Sequence, residues 1–148
     1  WDGVAWYDDS KATAPHATLT ALGGFPSVVL IAGGSDKGAD LGVLAGAADH
    51  VRAVVTIGVT GPQIGRAVAE LRPTYAADDM ADAVRIAGEL AGPGDVVLLS
   101  PACASYDMFD GYHHRGEVFA AAVRSRHAAQ PSTADPPAGR PPAGTVSA

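Results

Sequence analysis

A chain of 148 residues with a net charge of −6 is the size of a single domain. It carries no basic stripe, which excludes nucleic-acid binding as its role. One cysteine excludes an internal disulfide, and with no CxxC or Cys/His cluster the sequence predicts no metal site. No apolar run approaches the roughly 18 residues of a membrane span and no signal-peptide pattern stands at the start, so the expectation is a cytoplasmic chain without membrane insertion. The chain opens on Trp1 rather than Met, which suggests a fragment or a processed product.

Gly3–Asp8 carries Val, Trp and Tyr and predicts a short strand running into the polar turn Asp9-Ser10-Lys11-Ala12-Thr13. Pro15 suits a first helical turn, and a helix over Ala14–Leu22 follows, with Ala17, Leu19, Ala21 and Leu22 as its apolar face and Gly23-Gly24 as its stop. Ser27–Ala32 is an unbroken apolar run, expected of a strand covered on both faces, and it empties into the loop Gly33–Gly38. A helix is predicted over Leu41–Ala48, a strand over Val51–Ile57 and a helix over Gly61–Leu71 with Ile64, Ala67, Val68 and Leu71 in register. Thr74–Ala76 reads as a short strand, and Met80–Ala91 as a helix closed by Gly92-Pro93-Gly94.

Val96–Leu99 is a second unbroken apolar run, stopped by Ser100-Pro101 because proline has no N–H to give to a ladder. After the loop of small and hydroxylated residues that follows, His113 to about Arg126 predicts a last helix, with Val118, Phe119, Ala122 and Val123 inward. Residues 1–128 thus form one domain. Residues 129–148, rich in Pro, Ala, Gly and Ser with almost nothing aliphatic to bury, are expected to be a disordered tail.

Strands alternating with helices about five times predict an α/β fold: a three-layer, Rossmann-like domain with a mostly parallel sheet and helices on both faces. Three distinctive loops follow strands, and all would open on the carboxyl edge, where such sheets bind ligands. They are DSKAT (Asp9–Thr13), GGSDKG (Gly33–Gly38) and SPACASYD (Ser100–Asp107).

Each loop has a plain reading beside a chemical one. In DSKAT, Asp9, Ser10 and Thr13 are good helix caps; alternatively Lys11 and Thr13 point at an anionic ligand. GGSDKG follows a buried strand as anion-binding glycine loops do, but it is neither a Walker A motif nor GxGxxG. Lys37 within it is either a solvated loop lysine or a second cation of the site. Lys11, Lys37, Thr13 and Ser105 together would suit a small dicarboxylate or a phosphoryl group. Ser105 lacks the GxSxG elbow of a hydrolase nucleophile, Cys103 between alanines reads as a packed small residue, and His16, His113 and His114 lack the spacing of metal ligands.

These three loops, in this order and spacing, resemble the C-terminal domain of the D-glutamate-adding Mur ligases over about Gly3–Val123. DSKAT with SPACAS is the pairing specific to that member of the family. The resemblance implies a three-domain enzyme of peptidoglycan synthesis. Its N-terminal domain holds the UDP-N-acetylmuramoyl-L-alanine substrate. Its central domain holds the P-loop and Mg2+, and this third domain binds D-glutamate and closes over ATP. No GKT or GKS occurs in the present sequence, so the fragment is expected to be inactive alone.

The chemistry implied is ATP-dependent amide-bond formation through an acyl phosphate, attacked by the D-glutamate amine. Carried over by position, Lys37 would bind a glutamate carboxylate, Thr13 and Ser105 would hydrogen-bond the two carboxylates, and the backbone amides of Tyr106 and Tyr112 would lie nearby. Asp9 would contact the nucleotide ribose and Lys11 its phosphate end, and Lys11 and Lys37 would be the catalytic cations. Ala14-Pro15 stands where the family more often has Asn, and Tyr106 and Tyr112 stand where it often has an apolar residue and Phe. Two rival readings are a dinucleotide-binding Rossmann module, which the missing third glycine argues against, and a non-catalytic interaction domain, against which the joint presence of Lys11, Thr13, Lys37 and Ser105 speaks.

Overall fold

The computed structural model describes residues 3–35, 38–129 and 146–147. Strands β1 (Ala5–Asp8), β2 (Val28–Ala32), β3 (Val51–Thr56), β4 (Thr74–Ala76), β5 (Val96–Leu99) and β6 (Val146–Ser147) form one parallel sheet in the order β4-β3-β2-β5-β1-β6. Helices α1 (Pro15–Leu22), α2 (Gly61–Val68), α3 (Met80–Leu90) and α4 (Tyr112–Ala129) connect them, with a 3-10 segment over Leu41–His50 between β2 and β3.

The two unbroken apolar runs, β2 and β5, are central neighbours, with Val28 opposite Val96 and Ile31 opposite Leu99. Side chains alternate across a strand, so each run serves both faces. Val28, Leu30, Ala32, Val96 and Leu98 pack with Leu22 of α1, Leu41 and Leu44 of the 3-10 segment, and Ile64 and Val68 of α2. Val29, Ile31, Val97 and Leu99 pack on the other face with Met80, Val84 and Ala87 of α3 and Phe119 and Val123 of α4. The result is the expected three-layer α/β fold.

This layering positions the site. The connections leaving β1 and β2 turn to one face, whereas the connection leaving β5 turns to α4 on the other. β5 lies between β1 and β2, so the chain diverges on both sides of it. Each divergence is the kind of switch point at which α/β sheets open a crevice beyond their carboxyl ends.

Four local expectations are corrected. The Leu41–Ala48 helix is a 3-10 segment bent at Ala47; Gly42 and Gly46 disfavour an α-helix, and Asp40 Oδ1 accepts from Gly42 N (3.0 Å) to start it. In α1 Leu22 is buried as expected, with Leu19 and Ala21 partly buried against the core, but Ala17 is exposed and the face also includes Pro15 and Thr18, whose hydroxyl donates to the Ser100 carbonyl (3.1 Å). α2 ends at Val68, leaving Leu71 exposed. Residues 129–148 are not wholly a tail: Ala129 closes α4, and Val146-Ser147 pair with Trp6-Tyr7. The exposed ladder of an edge strand such as β1 offers that pairing. The remaining tail positions, 130–145 and 148, lie outside the described residues.

Candidate functional site

At the carboxyl edge the three loops are tied to one another by backbone. Asp9 N donates to Leu99 O (2.7 Å) and Ala102 N to Ala12 O (3.0 Å), joining DSKAT to the β5 loop. Gly33 N donates to Pro101 O (2.9 Å) and Ser35 N to Ala104 O (2.8 Å), joining the glycine loop to the same segment. SPACAS is therefore the middle member of a three-loop ladder. Small residues make this possible. Gly34 has φ +155, and a methyl group there would overlap the Ala104 carbonyl oxygen. Ala102 takes the left-handed conformation (φ 64), an uncommon and strained backbone for a residue other than glycine.

The cap reading of DSKAT does not hold. The residue before α1 is Ala14, and it makes no side-chain cap hydrogen bond. Ser10 instead turns inward, its N–H donating to Asp8 Oδ1 (2.8 Å) and its hydroxyl to Tyr112 O (2.6 Å). Asp9 accepts from the Ser100 hydroxyl (2.8 Å). The turn is shaped by partners across the sheet, not by the helix it precedes.

A narrow crevice beside β5 is lined by Thr13, Ser35, Ala39, Leu41, Thr60, and Ala102 to Ala104. It gathers hydroxyls from three separate loops over a floor of small residues. Ser105 follows directly and is 2% exposed. Its carbonyl accepts from Phe109 N (2.8 Å), which folds the segment back on itself. Lys37 lies outside the described residues. On the other side of β5, a cavity of about 610 Å³ is lined by Asp8, Ser10, Lys11, Tyr112, His113, Gly116, Glu117, Ala120 and Arg124. The expected site residues thus divide: Thr13 belongs to the crevice, Lys11 and Tyr112 to the cavity. Tyr106 is 72% exposed.

Sequence reasoning missed four residues here. Thr60, just past β3, accepts from Gly34 N (3.0 Å) and meets the Cys103 sulfur at 3.3 Å, which brings a fourth loop into the site. Ser35, read only as part of the glycine loop, is a crevice hydroxyl. Asp107 clasps two loops: its Oδ2 accepts from Val59 N (3.0 Å), and its own N–H donates to Ser35 Oγ (3.0 Å). Arg115, in the first turns of α4, is completely buried against Ser10 and Cys103. None of these had a local signal, since each works through residues distant in sequence.

Two groups in this region titrate abnormally. Burial raises the Asp8 carboxyl above its ordinary 3.8, against the lowering effect of the Ser10 N–H and with a further rise from Asp9. Burial likewise pushes the Arg115 guanidinium down to about 10, which still leaves it charged at neutral pH. Among the described residues no three His, Cys, Asp or Glu converge on a point that would hold a metal ion. No described helix is long and apolar enough to cross a membrane.

Fold and edge together define a parallel α/β domain whose strand-end loops frame two openings, one lined by the hydroxyls of Thr13, Ser35 and Thr60 and the other by Lys11 and Arg124 together with Asp8 and Glu117. The family model that matches, over residues 1–103, is that of the Mur ligase glutamate ligase domain, and the chain belongs to this family. It is 56% identical over 124 residues to UDP-N-acetylmuramoylalanine–D-glutamate ligase of Bordetella pertussis, covering 82% of this chain and 24% of that protein. It is 52% identical over 129 residues to the enzyme of the same name from Frankia casuarinae (84% and 27% covered). For the one from Legionella pneumophila the identity is 48% over 129 residues (83% and 29% covered). The chain therefore spans about a quarter of the length of these relatives. Among solved structures, a murein peptide ligase from Psychrobacter arcticus shares the fold with a TM-score of 0.53 at 20% identity, covering 82% of this chain and 28% of that one.

Proposed function

We propose that this chain is the D-glutamate-binding and closing domain of a cytoplasmic ligase that adds D-glutamate to UDP-N-acetylmuramoyl-L-alanine at the expense of ATP. The observation that carries the reading is the convergence of Thr13 of DSKAT, Ser35 of the glycine loop and the SPACAS backbone at one strand edge, around a crevice of about 10 Å³ over whose mouth the ligand would lie. A dicarboxylate needs donors on several sides, and this edge supplies them from separate loops. Thr13 and Ser105 hydrogen-bond the two carboxylates, Lys37 neutralises one as a compact cation, and Thr60 and Ser35 add hydroxyls. The Tyr106 amide, next after Ser105, would add a donor there, whereas Tyr112 belongs to the cavity on the other side of β5. The work of these groups is orientation: they hold the glutamate amine toward the acyl carbon it attacks and stabilise charge there.

ATP, when bound, supplies the phosphoryl group that activates the acceptor carboxylate. The cavity beside DSKAT has room for a nucleotide: Lys11 and Arg124 would offer cations beside the carboxylates of Asp8 and Glu117, and the Tyr112 and His113 rings lie 4.3 Å apart at its wall. Asp9 and Lys11 would contact the ribose and the phosphate end, respectively. Mg2+ would fall to the central domain of the same enzyme, which together with the N-terminal domain is this domain's partner. Calorimetric titration of D-glutamate into the intact ligase tests the reading. Thr13→Val is expected to weaken binding about tenfold, the worth of one charge-assisted hydrogen bond; equal affinities would remove Thr13 from the site.

A further inference from the structure

One group near the two openings is absorbed by neither. Arg115 is 0% exposed, lies outside both apolar clusters, and forms no ion pair among the described residues. Its partners are neutral. Nε donates to Ser10 Oγ (2.9 Å), Nη2 to Ser10 O (2.5 Å) and Nη1 to Cys103 O (2.8 Å). The Ser10 hydroxyl in turn donates to Tyr112 O, in the first turn of the helix that carries Arg115. Burying an unpaired guanidinium is costly. The fork geometry shows what offsets that cost: three donors of one rigid plane fix one carbonyl in DSKAT and one in SPACAS at once.

We propose that Arg115 is a positioning residue that sets DSKAT and SPACAS in register, so that Thr13 and Ser105 present their hydroxyls to the same ligand. Ser10 is three residues before Thr13 and Cys103 two before Ser105, so the guanidinium grips each loop just upstream of its binding residue. A lysine keeps the charge but not the fork; it reaches one carbonyl and releases the other loop. The three Arg115 hydrogen bonds end on Ser10 and Cys103 and none on a strand of the sheet, so the register of the loops can be perturbed apart from the pairing of β2 and β3. This inference rests on the D-glutamate reading for its ligand but not for its geometry.

The test has two arms. Amide hydrogen exchange on this 148-residue chain compares the native protein with Arg115→Lys and with Ser10→Ala, which keeps the arginine and removes one acceptor. Exchange at positions 10–13 and 102–105 is expected to accelerate together by tenfold or more in Arg115→Lys and by less in Ser10→Ala, with β2 and β3 unchanged. Steady-state kinetics of the intact ligase carrying Arg115→Lys should show KM for D-glutamate rising about tenfold, with a smaller fall in kcat. Unchanged loop exchange, or acceleration spread evenly over β2 and β3, would overturn the positioning role. Loops that loosen while KM for D-glutamate stays fixed would leave the register role standing and instead contradict D-glutamate as the ligand.

Discussion

Gly34→Ala is the sharpest test of how the site is built. The added methyl would overlap the Ala104 carbonyl oxygen and lie about 3.1 Å from the Cys103 side chain, on a backbone at φ +155. The obstacle on the near side is main chain, so the glycine loop itself must move. Moving it breaks Ser35 N to Ala104 O, Gly34 N to Thr60 Oγ1 and Thr60 N to Gly34 O. At about 1 kcal/mol net for each hydrogen bond, the loss is about 3 kcal/mol before any relaxation. For a domain of this size that lowers the unfolding midpoint by roughly 6–12 °C. Thermal unfolding followed by circular dichroism measures it, with Gly46→Ala as the control. Gly46 has nothing within 4 Å of an added methyl, and alanine there is expected to be neutral or slightly stabilising. A Gly34→Ala midpoint within about 1 °C of the native one would refute the claim that the loops are pressed together.

Asp107→Ala removes the acceptor of Val59 N and one partner of Ser35; at this exposed position it should cost about 1 kcal/mol in urea unfolding, and no measurable loss would dissolve the clasp. Asp8 gives a pH prediction. Its folded carboxyl titrates above its unfolded value, so the native state holds the proton more tightly and stability contributed by Asp8 is lost as pH rises from about 4 through the folded value. Asp8→Asn should therefore gain stability relative to the native protein at pH 7 compared with pH 4; an equal difference at both pH values would contradict the burial argument. Incubated alone with ATP and Mg2+, this chain should release no phosphate above background, since its sequence has no P-loop; sustained hydrolysis would break the division of labour proposed between the domains.

The layout of the fold was legible because its signals are local. β2 and β5 announce themselves as unbroken aliphatic runs, and a buried parallel strand needs nothing more. The three loops were legible as the segments after strands, and the resemblance suggested the roles proposed for Thr13 and Ser105. Other features depend on tertiary partners. Thr18 joins the buried face of α1 because Ser100, 82 residues away, accepts its hydroxyl. Arg115 looks like one more charge on a polar helix, and only the carbonyls of Ser10 and Cys103 show why it is inside. Asp9 and Ser10 looked like caps, a reading their own residue types favour, but Asp9 is held by the Ser100 hydroxyl and Ser10 by the Tyr112 carbonyl at the start of α4.

The central claim is that the crevice between DSKAT and SPACAS is a D-glutamate site. A crystal structure of the intact ligase with D-glutamate bound tests it most directly. The account predicts the two carboxylates within hydrogen-bond distance of the Thr13 and Ser105 hydroxyls, with the amine facing away from the sheet. D-Glutamate seated instead beside Lys11 and Tyr112, or away from this edge altogether, would contradict it.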